Sequence, residues 1–301
     1  MIDSLSASSQ SFLTGISQIN QTLDTAQEQL TTGLKINNVS DDPDQISELL
    51  ATRADLTQTQ QVTTNLDQVN TEVNTAQSTL QSAESLVEQA QTLGAQGASD
   101  MDSASTRQDL ANQLGSVLQG LVSDANTTVE GRYIFSGDSD QTAPYSIDLT
   151  QQNPVSAYQG SAATRQIQGA DGSLITVSLT AQQIFDSADS SQNVFTSISN
   201  LRQALLNNDS AGVSSALADV ETSGTYINQQ LAFYGNVQDQ LSAATTYAQN
   251  YTTQLQTQLS GLQDADETQA ITQMTEASTN LQAAMISRSQ MPRQTLFDFL
   301  A

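Results

Sequence analysis

Apolar residues recur at alternating steps of three and four through most of this 301-residue chain. The longest clean run is Val62, Leu66, Val69, Val73, Ala76, Leu80, Ala83, Val87 and Ala90, nine consecutive positions without a break. A period of 3.5 commits the sequence to long helices that pack along narrow seams, with left-handed supercoiling where they meet. The same alternation appears at Phe12, Ile16, Ile19, Leu23, Ala26 and Leu30, and at Leu110, Leu114, Val117 and Leu121. It returns at Val194, Ile198, Leu201 and Leu205. The most extended seam starts at Val213, Leu217, Val220, Gly224, Ile227, Leu231 and Tyr234 and runs on to Leu262, with polar residues at Gln238 and Thr245. The last seam is Ala270, Met274, Ala277, Leu281 and Ala284.

Punctuation separates these seams. Gly33 is placed to end the first helix, and Ser40 to Asp42 followed by Pro43 form a helix start. Gly94 and Gly97 interrupt the second helix, and Asp264 to Asp266 break the fifth from the sixth. Between Gly131 and Leu179 the period changes. Gly131-Arg-Tyr-Ile-Phe-Ser-Gly137 is short and aromatic, while Tyr145–Leu149, Ala163–Ile167 and Ile175–Leu179 alternate between turn residues, a pattern of antiparallel strands. The expected fold is α+β, mainly α: an elongated rod of long helices with a small antiparallel β insertion. Three domains are expected: a terminal coiled coil of residues 1–42 and 264–301, a helical bundle of 43–130 and 190–263, and a β-rich insertion of 131–189.

Composition excludes several functions. The chain has no Cys and no His, so it lacks the usual zinc ligands, disulfides, and Cys- or His-based catalysis. Its formal net charge of −24 argues against nucleic acid and anionic lipid as partners. No apolar run is long enough for membrane insertion, and the N-terminus lacks the pattern of a cleavable signal peptide. Asp41, Asp42 and Asp44 are grouped, as are Asp138 and Asp140, but neither group has the spacing of a calcium loop, so capping and solvation are their expected roles. No cofactor, metal or catalytic residue is expected.

The stretch Leu23-Asp-Thr-Ala-Gln-Glu-Gln-Leu-Thr-Thr-Gly-Leu-Lys-Ile-Asn-Asn-Val-Ser-Asp-Asp-Pro43 resembles the N-terminal signature of the bacterial flagellin family, and Asp264 to Ala301 resembles its C-terminal helix. Gly131–Gly137 and Pro144-Tyr145 are similar to the junction subunits of that family rather than to filament flagellin. The resemblance implies a structural subunit secreted to the bacterial flagellum without a cleavable signal and located at the hook–filament junction. It also implies copies of the chain in a ring or helical layer, a neighbouring hook-junction protein and filament flagellin as contacts, and a cytosolic export chaperone. A short filament flagellin is the alternative within the class, and the helical ligand-binding ectodomain of a sensor is the alternative outside it.

The residues of the two ends point independently to assembly. An isolated helix with five or six apolar seam residues is marginal in water. Ordering a residue costs ~1–2 kcal/mol and burying a Leu or Ile returns ~1.5–3 kcal/mol. The N-terminal helix therefore needs its C-terminal counterpart, and that pair still buries one face of each. The expected assembly interface comprises Leu5, Phe12, Ile16, Ile19, Leu23, Leu30, Met274, Leu281, Met285, Leu296, Phe297 and Phe299. Leu5, Leu13, Leu34, Ile271, Met285 and Ile286 fall off the seams and are expected to stay exposed in the free chain.

Overall fold

A computed structural model describes residues 2–99 and 103–290, with side chains from residue 9. The helices are α1 (Ile2–Thr32), α2 (Pro43–Gly97), α3 (Ala104–Ala125), α4 (Ala181–Phe185), α5 (Val194–Leu206), α6 (Ser210–Gln263) and α7 (Glu267–Gln290). Between α3 and α4 lie four short strands: β1 (Thr128–Val129), β2 (Arg132–Tyr133), β3 (Gln166–Gln168) and β4 (Leu174–Thr176). They form two antiparallel hairpins, with Val129 opposite Arg132 in the first and Ile167 opposite Ile175 in the second.

Side chains cap the helix starts where backbone donors lack partners. Asp42 Oδ1 accepts from the Gln45 amide at 3.3 Å ahead of α2, and Ser103 Oγ accepts from the Thr106 amide at 3.2 Å ahead of α3. Asn193 Oδ1 and Asp266 Oδ1 do the same for α5 and α7, at 2.9 and 3.0 Å. Gly33 ends α1 with φ +72°, the left-handed conformation that glycine adopts without steric cost.

The chain divides into two compact units. One comprises Met1–Gln58 and Thr252–Ala301, and the other Thr59–Tyr251. In the second unit a single core joins α2, α3, α5 and α6 to the strand-bearing stretch. Seven of the nine seam positions in α2 are buried, and Val62 and Val69 are half-buried. Leu110, Leu114, Val117 and Leu121 of α3 are all buried. An aromatic chain ties the irregular stretch into this core. Phe135 meets Phe185 edge-on at 6.4 Å, Phe185 stacks on Phe195 at 5.7 Å, and Phe195 meets Tyr145 at 5.0 Å.

The structure corrects three local expectations. Tyr145–Leu149 is a loop with one isolated bridge, Ile147 to Val155, and the four strands are shorter than the alternation suggested. Here alternation reflects a chain lying across the bundle, with Tyr145 buried beneath it, rather than a sheet. Gly94 does not break α2. A Cβ there would come within 2.9 Å of Leu201 Cδ2, so this glycine lets α5 approach closely. In α6 the buried columns are Val213, Val220, Ile227, Tyr234, Leu241 and Ala248, flanked by Ala216, Ser223, Val237 and Ala244. Gln238 and Thr245 lie half-buried at the rim of a stripe three columns wide.

Candidate assembly surface

Within the first unit, α1 and α7 pack against each other antiparallel. At one end the Ala265 amide donates to the Gly33 carbonyl at 2.9 Å, and at the other Arg288 Nη2 donates to Ser9 Oγ at 3.1 Å. The deepest seam residues are small: Ala26, Ala270 and Ala277 are buried. Phe12, Ile16, Ile19, Leu23 and Leu30 from α1, with Met274 and Leu281 from α7, are only half-buried. The Arg288 guanidinium lies over the Phe12 ring, 5.3 Å from its centroid, a cation–π contact with no sequence signal.

The turn between α1 and α2 is built from the signature residues. The Lys35 amide donates to the Gln263 carbonyl at 2.6 Å, and Leu34 and Asp264 form an antiparallel bridge. Ile36 is buried beneath. Asp41 Oδ2 accepts from the amides of Asn37 and Asn38 at 2.9 and 2.6 Å, and Lys35 Nζ stands 3.6 Å from Asp42. The grouped aspartates thus bind their own backbone, and Arg53 Nη2 braces the corner from α2 by donating to Gln263 Oε1 at 2.7 Å. Leu34, expected to be exposed, is half-buried because the bridge draws it in.

Outside this seam the first unit exposes apolar surface. Leu13, Val39, Leu50, Ile271, Met285 and Ile286 are all more than half exposed. They are six of the eight large hydrophobic residues exposed among the described residues, in a unit that is roughly a third of the chain. Leu13, Ile271, Met285 and Ile286 were legible as off-seam residues. Val39 and Leu50 were not, since a loop residue and a helix flank carry no periodic signal. Of the expected interface, Phe12, Ile16, Ile19, Leu23, Leu30, Met274 and Leu281 line the α1–α7 pair, while Met285 faces outward. Leu296, Phe297 and Phe299 lie outside the described residues, as does the side chain of Leu5.

The second unit offers a different device. Glu72 of α2, with a side chain 11% exposed, pairs with Arg132 of β2 at 3.2 Å and with Arg165 just before β3. One carboxylate therefore fastens both hairpins to the bundle. Phe135 is fully buried and Tyr133 half-buried, so these aromatics anchor the insertion. Among the described residues, no group of three or more His, Cys, Asp or Glu could hold a metal ion, and no helix is long and apolar enough to cross a membrane.

The profile of the bacterial flagellin N-terminal helical region matches residues 4–140, and that of the C-terminal helical region matches residues 217–300. No curated protein matches the sequence. Among solved structures, the fold is similar to that of a protein of Vibrio parahaemolyticus described as a flagellar hook-associated protein, with a TM-score of 0.66 at 19% identity. That match covers 74% of this chain and 100% of the other. Bacillus cereus FlgL matches with a TM-score of 0.56 at 19% identity, covering 71% of this chain and 100% of that one. Flagellar hook-associated protein-3 from Legionella pneumophila matches with a TM-score of 0.59 at 14% identity, covering 70% and 98%.

Proposed function

The chain belongs to the bacterial flagellin family, and from that premise we propose that it is a structural subunit at the junction between flagellar hook and filament, polymerising through its terminal helices. The observation that carries this reading is the crowding of exposed apolar side chains onto the unit formed by the two ends, where the helical pair is only half-buried. Surface of that kind is covered by a partner in a soluble protein. Copies of the chain are the fitting partner, because a contact that extends a tube is head-to-tail and repeats. The fold shared with hook-associated proteins supports the junction position over the filament.

In this reading the subunit is exported without cleavage of a signal and is held before export by a cytosolic chaperone. It then forms a ring or helical layer between a hook-junction protein and filament flagellin, and its role is structural rather than enzymatic. Antibody labelling of intact flagella tests the position. A narrow band where hook meets filament is expected. Label along the whole shaft would instead identify a short filament flagellin, and label confined to the cell body would overturn both. Deleting the gene should leave hooks without filaments, with flagellin monomers in the medium.

A further inference from the structure

We infer that a cavity between α5 and the loop of residues 153–157 binds a neutral saccharide, held by amide and hydroxyl side chains against an apolar wall. This goes beyond the assembly role and does not depend on it, because every lining residue belongs to the unit Thr59–Tyr251. The cavity measures about 490 Å³, within the range of small-molecule sites. Pro154, Val155 and Phe195 supply the apolar wall. Phe195 is fixed there by stacking on Phe185 and by its edge contact with Tyr145.

The polar lining selects the ligand. Thr196, Ser199 and Asn200 stand at positions i, i+3 and i+4 of α5, so they share one face of the helix, and Asn153 borders the cavity from the loop. Among the described residues, none of these four side chains has a hydrogen-bond partner. The Thr196 amide is already taken by Asn193 Oδ1 at 2.9 Å, so the free groups of this helix face belong to side chains. An amide side chain both donates and accepts, and so does a hydroxyl. Vicinal sugar hydroxyls have the same double character, while the C–H face of a sugar ring suits the apolar wall. Asp186 is the one charged lining residue among the described residues. Its oxygens accept from the Tyr145 hydroxyl at 3.3 Å and from Asn193 Nδ2 at 2.6 Å, which holds the carboxylate in place as an acceptor for a further hydroxyl. In a chain of net charge −24, the same carboxylate turns anionic ligands away.

The loop favours a sugar over a peptide strand. Ile147 and Val155 pair through their neighbours, the Asp148 amide donating to the Pro154 carbonyl at 2.7 Å and the Ser156 amide to the Ser146 carbonyl at 2.9 Å. The N–H and C=O of Val155 therefore lie on the edge away from Ile147, and among the described residues no main-chain bond uses them. They add one donor and one acceptor to the site. A peptide strand needs a row of such groups. The next carbonyl on that edge, Ala157, already accepts from Ser156 Oγ at 3.1 Å and from Gln159 Nε2 at 2.9 Å.

Saturation-transfer difference NMR on the full chain tests the site, with glucose, galactose and N-acetylglucosamine as probes and low salt to keep the subunit free. At least one sugar is expected to show saturable transfer with a Kd below about 10 mM. Thr196→Val combined with Asn200→Leu is expected to weaken that binding at least tenfold. Thr196→Val alone keeps the side chain's shape and is expected to weaken it at least threefold, with the melt by circular dichroism unchanged. Ser214→Ala, on an exposed face of α6, is expected to bind like wild type. No saturable transfer to any of the three sugars overturns the site. Binding that survives both cavity variants overturns its location. Tighter binding of the extended peptide acetyl-Ser-Thr-Ser-Thr-amide than of every sugar overturns the ligand class. Each result is read on the free subunit, so none of them bears on polymerisation.

Discussion

Asp124, in the last turn of α3, has one buried carboxylate oxygen with no hydrogen-bond partner. Burial pushes its pKa above the ordinary 3.8, although a hydrogen bond from Ser82 pulls part of the way back. Its position at a helix C-terminus adds no favourable interaction with the ionised form. The folded state therefore holds this proton more tightly than the unfolded chain does. The cost of ionised Asp124 is present at neutral pH and disappears as pH falls through the folded pKa. Asp124→Asn is expected to melt at a higher temperature than wild type at pH 7, with the gap closing towards pH 4; thermal melts at both values check this. Glu72 makes the opposite case, because its carboxylate is paired on both oxygens by arginines only a little over a third exposed. Glu72→Ala leaves Arg132 and Arg165 without their shared acceptor and removes the ion pairs that link both hairpins to α2. A loss of about 1–3 kcal/mol is expected, read from the urea midpoint.

At the scale of elements, long helices were legible because one apolar seam is enough to mark them, and their ends because Gly33, Asp42 with Pro43 and Asp266 act locally. A seam reports period more firmly than the number of neighbours. In α6 the sequence supports two flanking columns, and the one bearing Ala216, Val237 and Ala244 is buried because several neighbours pack around that helix. The strand-bearing stretch was less legible. Its residues are fixed by the aromatic chain and by Glu72, contacts between positions 60 and 93 residues apart that no local pattern encodes. α4 is too short for a period, although its Thr180 and Gln183 capping box could have marked it. Of the assembly surface, the off-seam residues of α1 and α7 could be read, whereas the corner at Leu34 and Asp264 depends on long-range backbone pairing. The half-buried seam of α1 also predicts its dynamics. In the free subunit, amides of residues 10–30 are expected to exchange at least tenfold faster than those of residues 66–90, and polymerisation is expected to protect them. Hydrogen exchange by mass spectrometry checks both; equal protection in the free subunit would contradict the reading.

For the whole molecule, charge decides when copies may meet. A net charge of −24 opposes association, and ions screen it over about 8 Å at physiological strength. Raising salt, or lowering pH towards the isoelectric point near 4.1, is expected to promote polymerisation, as sedimentation would show. Ile271→Asp combined with Met285→Asp removes exposed apolar surface and adds like charge. It is expected to halt polymerisation in the same assay while changing the stability of the free subunit by no more than about 0.5 kcal/mol per site. The antiparallel pairing of α1 with α7 also fixes an order of events during synthesis. α1 leaves the ribosome long before its partner: at ~5–20 residues per second, the 234 residues between Thr32 and Glu267 take roughly 12–47 s to translate. Throughout that interval the first helix of each nascent chain has no partner of its own, which makes it the segment most open to capture while translation is still under way.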